Sequence, residues 1–569
     1  MNISLDTIDL LVILAYFVGI IVYGITQAKS GSSEEYFLGG RSLTWPVVGI
    51  SLFAANISSS TLIGLAGSAY LLDMTVYNYE WYAVLVLVFF AIFFLPFYLR
   101  SGVYTMPEFL EKRYDSRSRY YFSFITVVGN VLIDTAASLY VGTLVLGLIF
   151  PTLPPWVIIV VLAASAAAYT IPGGLNSVVK TEVIQAIVLI FGSMILTYYG
   201  LVKVGGWSAM VDQLNELNAS GVINKNAEEA LSIVRDNEGD WWRQYDSPIV
   251  PWWGLLTGVP LLGFYFWANN QFMVQRILSS KSLNHGRWGA LFAGLLKLPV
   301  ILIMVIPGTL AFLLYRQNEY SYKVPVSEAN PDGICENLLN CTDLTYLTLL
   351  FDLLPVGLLG LVVAGLLAAM MSSISATFNS ASTLITMDFV NKIRPNMTSK
   401  QLVRSGQIST LVLVVLASLW APMIGRYGDL FRYLQDILGY IAPPVVSVFV
   451  VGLFWKRATG TASIISLLVG LIMSGVWVIG GLFELDIWFF QMHFLLRTTV
   501  LFLICLVTLI TTSLITAPPP ADKIESMVWT PKLIAEETEE LKDLPWYLNY
   551  RYLSVILLVI TTFVVWYFW

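Results

Sequence analysis

Charged side chains stand inside long apolar stretches of this sequence. Glu80, Asp134, Glu182 and Lys297 each fall within, or at the start of, a hydrophobic run. An ionisable residue near the centre of a bilayer costs about 2.5–3.5 kcal/mol on insertion scales, so it marks a solute or ion pathway by default. For Asp134 and Lys297 the alternative is a structural ion pair. For Glu80 and Glu182 it is a position at the headgroup level, where acids cost little.

A second candidate chemistry comes from hydroxyl groups. The apolar stretch from Ala369 to Thr377 contains Ser372, Ser373 and Ser375. Hydroxyls and unwound backbone carbonyls are oxygen ligands that suit a sodium ion. Serines in membrane helices also mark close helix packing, which is the alternative interpretation. The interrupted helix described next favours the ion site.

Two apolar runs that are long enough to span a bilayer are interrupted by polar residues. Residues 45–71 contain Ala54-Ala55-Asn56-Ile57-Ser58-Ser59-Ser60-Thr61, and residues 250–275 contain Gly263 followed by Ala268-Asn269-Asn270-Gln271. Backbone within a bilayer must satisfy its own hydrogen bonds, so irregular stretches survive only where they line a cavity. Interruptions at matching places in two halves of a chain predict a transporter with a site near the midplane.

The composition predicts an all-α integral membrane protein. The chain is 57% hydrophobic and 12% charged, whereas soluble proteins carry about 25% charged residues. Apolar runs of about 20 residues, each long enough to cross a bilayer, predict about fourteen transmembrane helices at 8–27, 45–71, 79–99, 120–150, 155–172, 182–203, 250–274, 288–315, 355–379, 403–424, 436–455, 461–483, 496–516 and 549–569.

The order of these spans predicts an inverted repeat. Spans two to six and seven to eleven form two groups of five, and an odd number gives consecutive groups opposite orientations. The expected organisation has five parts: a first accessory helix and inside loop (1–44), a first repeat (45–203), an outside loop (204–249), a second repeat that includes the outside loop 317–345 (250–456), and three accessory helices with the inside linker 517–548 (457–569).

Basic residues orient the chain. No cleavable signal peptide is visible, and Lys29 and Arg41 follow the first apolar run, which places the N-terminus outside by the positive-inside rule. Fourteen spans then return the C-terminus to the outside of a plasma membrane. Cys335 and Cys341 fall in an outside loop, as either a disulfide or two free thiols. No nucleophile–base pair, metal cluster or phosphate-binding loop indicates an enzyme, and no feature indicates a nucleic-acid partner.

Several motifs resemble those of the sodium/solute symporter family, and within it the sodium/glucose cotransporter branch. The resemblance runs over nearly the whole chain and is carried by residues 35–43 (EYFLGGRSL), 51–58 (SLFAANIS), 104–109 (YTMPEF), 274–276 (VQR), 379–383 (NSAST), 386–388 (TMD) and 452–457 (GLFWKR). It implies a LeuT-type core of 5+5 inverted-repeat helices and sodium-driven uptake by alternating access.

The resemblance also implies an ion site. The family's sodium ligands carry over onto Ala54 and Ile57 of the first broken helix and onto Ala369, Ser372 and Ser373 of span nine. Some members have a further sodium-linked site with an acid in span six. Here Glu182 replaces the usual Asp and Ser375 is present, but Ala376 stands where a second hydroxyl would be, so the second sodium is in doubt.

The sugar ligands of the cotransporter branch carry over less completely. The matching residues are Asn56, Glu80, Trp267, Lys297 and Gln435. Thr61 stands where sugar transporters place Gln or His, Gly263 where a polar residue is common, and Phe266 where a gating Tyr is expected. The resemblance therefore implies a sugar-like but altered pocket.

The leading hypothesis is a sodium-coupled symporter of a neutral sugar or polyol. Asp134 would repel an anion from the pocket. The run Ser58-Ser59-Ser60-Thr61 argues the other way, because hydroxyls beside a helix N-terminus can hold a carboxylate. The alternatives are a symporter of an organic anion such as sialic acid, and a membrane sensor that binds sugar without transporting it.

Overall fold

The computed structural model describes residues 5–28, 31–234, 249–319, 321–323, 332–424, 430–483, 487–521, 524 and 526–569. Lys29 lies outside the described residues, as do parts of the predicted loops 204–249 and 317–345. The described chain is almost entirely helical.

Helices follow one another closely up to the first long loop. The α-helices are Thr7–Thr26, Ser33–Leu38, Trp45–Asn56, Ser59–Tyr70, Asn78–Phe89, Leu95–Ser101, Met106–Arg113, Ser116–Gly129, Ala136–Ile149, Pro155–Val204, Trp207–Ala219 and Ala227–Leu231. Short 3-10 turns lie at Gly39–Arg41 and Met74–Tyr77. π-Helical turns at Phe90–Phe94 and Asn130–Thr135 join their neighbours into longer rods.

The rest of the chain repeats this pattern. Its α-helices are Trp252–Phe264, Gln271–Leu278, Leu283–Lys297, Ile306–Tyr315, Thr345–Leu353, Leu358–Leu384, Asn391–Ile393, Ser399–Ile424, Leu430–Phe454, Gly460–Leu482, Trp488–Gln491, Phe494–Ile515, Pro531–Leu541 and Tyr550–Tyr567. π-Helical turns occupy Tyr265–Asn269, Ile301–Val305 and Ile385–Val390, and 3-10 turns occupy Leu338–Asn340 and Thr342–Leu344.

The described strands follow helix Ile306–Tyr315. Tyr322–Lys323 pairs antiparallel with Ile334–Cys335, with Tyr322 opposite Cys335. Cys335 and Cys341 form a disulfide with their Cα atoms 6.1 Å apart. The structure therefore decides between the two states that the sequence left open.

The number of membrane spans is the point on which the structure and the sequence count differ. By length and composition, the described residues contain ten helices able to cross a membrane, or up to twelve if each sharply bent pair is one span. The predicted spans 155–172 and 182–203 lie in one helix of 50 residues, Pro155–Val204, which departs from helical geometry at Gly174. The predicted span 250–274 is divided. The count of fourteen is not confirmed.

The first predicted break is present. Trp45–Asn56 and Ser59–Tyr70 meet at an angle of 58°. Ser58 caps the second helix, since its side chain accepts a hydrogen bond from the N–H of Thr61. Ser is among the preferred N-cap residues because its oxygen satisfies an N–H group that has no helical partner. The polar run in the sequence therefore contains the end of one helix and the beginning of the next.

The second predicted break is also present, and a third bend accompanies it. Trp252–Phe264 continues as a π-helical turn, after which Asn270 is extended (φ −67°, ψ 126°) and caps Gln271–Leu278. The additional bend, of 44°, separates Leu283–Lys297 from Ile301–Tyr315. Pro299 lies between these segments and cannot donate a helical hydrogen bond. That proline was the available signal for the bend.

One helix forms the centre of the bundle. In its most apolar window, Leu358–Ile393 is 89% buried, compared with 17% for Thr7–Thr26. It packs against Trp45–Asn56, Pro155–Val204 and Ser399–Ile424. Helices that are buried by protein on all sides can present polar groups inward, which is where the predicted serines lie.

The inside linker 517–548 contains more structure than a surface connection. Glu537 of helix Pro531–Leu541 forms an ion pair with Arg287 and another, at 2.9 Å, with Arg551. The guanidinium of Arg287 lies 4.0 Å from the centre of the Tyr550 ring. Helix Pro531–Leu541 therefore connects the N-terminal half of Leu283–Lys297 with the last helix.

Candidate ion and solute site

The break in the first interrupted helix releases two backbone carbonyls. In a continuous helix the N–H of Ser58 would bond the carbonyl of Ala54, but it donates to the carbonyl of Asn56 at 3.0 Å. The N–H of Thr61 would bond the carbonyl of Ile57, but it donates to Ser58 Oγ at 3.1 Å. Ile57 itself has non-helical backbone angles (φ −83°, ψ 84°). The carbonyls of Ala54 and Ile57 are thus free of the helical ladder.

The central helix supplies hydroxyls on the neighbouring element. Ser373 Oγ donates to the carbonyl of Ala369 at 3.1 Å. Ser372 is 1% exposed, and its Oγ has no hydrogen-bond partner among the described residues. A buried hydroxyl without a partner is costly. Bringing a sodium ion to Ser372 would give that oxygen a partner, so the predicted ligand set fits the ion.

A cavity of about 140 Å³ lies beside these residues. That is about ten times the room that one water molecule needs. The predicted solute residues that line it are Asn56, Thr61, Glu80, Phe266, Trp267 and Gln435. Ser373 lines the same cavity, so the candidate ion ligands adjoin the candidate solute pocket.

The remaining predicted solute residue, Lys297, joins the others through its ammonium group. Lys297 Nζ forms an ion pair with Glu80 and donates to Asn56 Oδ1. It also lies 5.8 Å from the centre of the Trp267 ring. Glu80 is 4% exposed and Lys297 is fully buried. Two buried charges of opposite sign compensate each other, whereas either one alone would be very costly.

Aromatic rings form another wall of the cavity. The Phe266 ring packs edge-on against Trp267 and against Phe272, with ring centres 5.5 Å and 5.6 Å apart. All three flank the break at Asn270. Gly263 lines the cavity one turn earlier, and a Cβ there would meet only Val86 within 4 Å. The apolar ring and the missing side chain are two of the three alterations expected from the sequence, and Thr61, the third, also lines the cavity.

Three of the four hydroxyl groups at the first break bond within their own segment, and the exception is Ser59 Oγ, which is buried without a partner among the described residues. Ser58 Oγ lies 2.8 Å from Ser60 Oγ and 3.0 Å from Thr61 Oγ1, in addition to capping the N–H of Thr61. Thr61 Oγ1 also donates to the carbonyl of Asn56 at 3.2 Å. These contacts occupy hydroxyl groups that would otherwise be available to bind a carboxylate.

Glu182 and Ser375, the predicted second ion position, have protein partners. Glu182 forms a buried ion pair with Arg276 and accepts a hydrogen bond from Ser51 at 2.5 Å. Ser375 Oγ donates to the carbonyl of Ser372 at 3.0 Å and lies 3.0 Å from the hydroxyl of Tyr169. Arg276 was not predicted as a partner, since it is far from Glu182 in sequence.

Sequence reasoning also missed part of the cavity wall. Asp134 lines the cavity as expected, and so do Thr126 and Asn130 of the same rod. Their spacing of four residues was the available signal, because positions i and i+4 share one face of a helix.

These features define a class of protein. A multi-pass helical bundle places unpaired oxygens for a cation next to a polar and aromatic solute cavity, and both lie at broken helices. Buried sites formed by discontinuous helices are typical of secondary transporters.

Comparison with known proteins identifies the family. The model of the sodium:solute symporter family matches residues 36–470. Sodium/glucose cotransporter 4 of Danio rerio is 32% identical over 568 residues, covering 95% of this chain and 84% of that protein. Sodium/myo-inositol cotransporter 2 of Sus scrofa is 32% identical over 550 residues, covering 92% and 79%. The chain belongs to the sodium:solute symporter family.

A solved structure supports the fold. A Na⁺-coupled sialic acid symporter in a substrate-bound outward-open state superposes with a TM-score of 0.73 and 22% sequence identity. The alignment covers 90% of this chain and 99% of that one. The architecture is therefore the LeuT-type helical core that was expected.

Proposed function

We propose that this protein is a sodium-coupled symporter that imports a neutral, hexose-like sugar or polyol by alternating access. The observation that carries the proposal is the contact of Lys297 with both Glu80 and Asn56 at a cavity that also contains Gln435. Carboxylate, ammonium and amide groups together offer acceptors and donors to a solute with many hydroxyls. Ser373 at the same cavity brings the ion next to the solute.

Charge supports a neutral solute over an organic anion. Glu80 and Lys297 cancel each other, and Asp134 adds a negative charge to the cavity wall. The hydroxyls of Ser60 and Thr61 both bond the hydroxyl of Ser58. The relatives named for glucose and myo-inositol agree with this choice, while the sialic acid symporter shares only the fold.

The proposal assigns the ion to Ala54, Ile57, Ala369, Ser372 and Ser373. Because Arg276 already neutralises Glu182, one sodium ion per cycle is expected, without a second at Glu182 and Ser375. We propose that segments 45–203 and 250–456 are the two repeats that move around this site. The protein would act as a carrier, not an enzyme, in the plasma membrane with both termini outside.

Transport by reconstituted protein tests this function. One charge crossing 100 mV supplies about 2.3 kcal/mol, and a tenfold sodium gradient adds about 1.4 kcal/mol. One sodium ion could then concentrate a neutral solute several hundredfold. Proteoliposomes should take up labelled glucose or myo-inositol with sodium outside, and faster when the inside is negative. Equal uptake with choline in place of sodium would contradict the proposal.

Two further measurements separate the alternatives. Counterflow of labelled solute distinguishes a carrier from a sensor that only binds sugar. Glucose, galactose or inositol should inhibit uptake, and sialic acid should not. Inhibition by sialic acid alone would assign an anionic substrate. Sodium and solute fluxes should be measured together, because an anion carried with two sodium ions would also be electrogenic.

A further inference from the structure

One wall of the solute cavity carries a carboxyl group that has no counter-charge in the pocket. Asp134 lines the cavity, and its carboxylate has no hydrogen bond or ion pair among the described residues. The other charged residue of the lining, Glu80, is paired with Lys297. The empty pocket therefore presents one carboxyl group without a counter-charge to whatever enters it.

The neighbours of Asp134 on the same rod add acceptor groups. Thr126 is 2% exposed, and it lines the same cavity. Asn130 donates its amide N–H to Ser380 Oγ at 3.0 Å, which leaves the amide oxygen as an acceptor. Positions 126, 130 and 134 follow one another at a spacing of four along the rod, and all three residues line the cavity. They form an acceptor stripe: a carboxylate, an amide oxygen and a hydroxyl.

A protonated amine matches this stripe better than a neutral hydroxyl does. An ammonium group offers three donors and no acceptor, while a solute hydroxyl offers one donor. A hydrogen bond to a charged group is stronger than one between neutral groups, and the ammonium would also neutralise Asp134. The anionic wall cannot be matched in this way by a carboxylate-bearing solute.

We propose that the acceptor stripe of Thr126, Asn130 and Asp134 is a recognition subsite for a protonated amino group, so that this symporter accepts amine-bearing sugars or polyols. The inference rests on the proposed function, because it concerns the same cavity. Asp134 is the specificity-determining residue, and Thr126 and Asn130 accept the remaining hydrogen bonds of the amino group.

Competition by matched sugars tests the subsite. Glucosamine, at neutral pH where most of its amine is protonated, should inhibit sodium-driven uptake of labelled glucose or myo-inositol more strongly than 2-deoxyglucose or N-acetylglucosamine. Asp134→Asn should reduce the preference for glucosamine over 2-deoxyglucose by about tenfold or more. Thr126→Val should reduce it in the same direction by a smaller factor. Asp212→Asn, which removes an exposed charge from helix Trp207–Ala219, should leave the preference unchanged.

Direct binding keeps the test independent of transport. Thermal shifts of the purified variants with glucosamine and with 2-deoxyglucose measure the preference for glucosamine even if a variant does not transport. The proposal is overturned if wild-type protein shows no preference for glucosamine, or if Asp134→Asn keeps the wild-type preference. It is also overturned if Asp134→Asn only raises the sodium requirement, which would assign the carboxylate to the ion. A glucosamine preference in binding without sodium-driven uptake would support the subsite and contradict the proposed function.

Discussion

The proposed ion site and the proposed solute cavity lie side by side but are built in opposite ways. The candidate ion ligands are neutral oxygens: carbonyls released at Ile57 and Ala54, and the unpartnered hydroxyl of Ser372. The solute cavity instead contains charges held in an ion pair, Glu80 with Lys297, and an aromatic wall.

The difference follows from what each site must bind. A sodium ion is itself charged and needs only oxygen atoms that are free to coordinate it. The helix break provides such oxygens, because it separates backbone carbonyls from their usual helical N–H partners. A neutral polyol brings no charge and needs many donors and acceptors in fixed positions. A buried ion pair supplies these donors and acceptors, but each charged side chain then needs the other to offset the cost of its burial. Substitutions in the two regions should therefore have different consequences for stability and affinity.

The largest expected effect comes from separating the ion pair. Lys297→Met leaves Glu80 buried without a counter-charge, which should cost about 3–5 kcal/mol of stability. Thermal melting of the purified protein should fall strongly, and adding Glu80→Gln in the same chain should recover part of the loss. Lys532→Met, at a side chain that is 83% exposed, is the control. A Lys297→Met protein that melts like wild type would show that the pair does not form.

Gln435→Ala should weaken solute binding without disturbing the ion. Removing the amide leaves solute hydroxyls unpaired in a buried site, at a cost of about 1–3 kcal/mol. Equilibrium binding of glucose or myo-inositol should weaken accordingly, while sodium binding in the absence of solute should not change. Gln213→Ala is the control, because Gln213 bonds the carbonyl of Val204 outside the cavity. Wild-type solute affinity would remove Gln435 from the pocket.

Ser372→Ala should raise the sodium concentration for half-maximal solute binding by about tenfold, equivalent to about 1.4 kcal/mol. Melting without sodium should not fall, because Ser372 Oγ has no partner to lose among the described residues. Ser373→Ala should raise the sodium requirement and also lose the bond to Ala369.

A sodium titration of intrinsic fluorescence measures both serine variants. The control is Ser382→Ala on the same helix, where the hydroxyl bonds the carbonyl of Gly406. Unchanged sodium dependence in both Ser372→Ala and Ser373→Ala would place the ion elsewhere. It would also contradict the proposed difference between the ion site and the solute cavity.

The smallest effect is expected at the aromatic wall. Phe266→Tyr adds a hydroxyl where the resemblance expects one, so solute affinity should rise by about 0.5–1.5 kcal/mol at most, and sodium dependence should stay constant. Binding isotherms for glucose measure the change. A shift in sodium affinity with none in solute affinity would indicate that this ring belongs to the ion pathway.

Much of the site was predictable because its residues are polar where the sequence is otherwise apolar. Glu80 and Lys297 stood out against hydrophobic neighbours, and the Ser58–Thr61 run marked the first break. Thr126 was not distinguished, because an isolated threonine is common in membrane helices. The bend after Lys297 was missed as well, since a single proline does not fix how far a helix turns.

The sequence by itself determined the class of molecule and the helical fold, because the bilayer imposes length and polarity rules that can be read residue by residue. The family followed from its motifs. The sequence also located the breaks after Asn56 and at Asn270, but not the bend after Lys297. Only the tertiary structure decided which charge pairs with which: Lys297 with Glu80 and not Asp134, and Arg276 with Glu182. Residues hundreds of positions apart meet only when the helices pack, and one-dimensional patterns carry no information about which faces will touch.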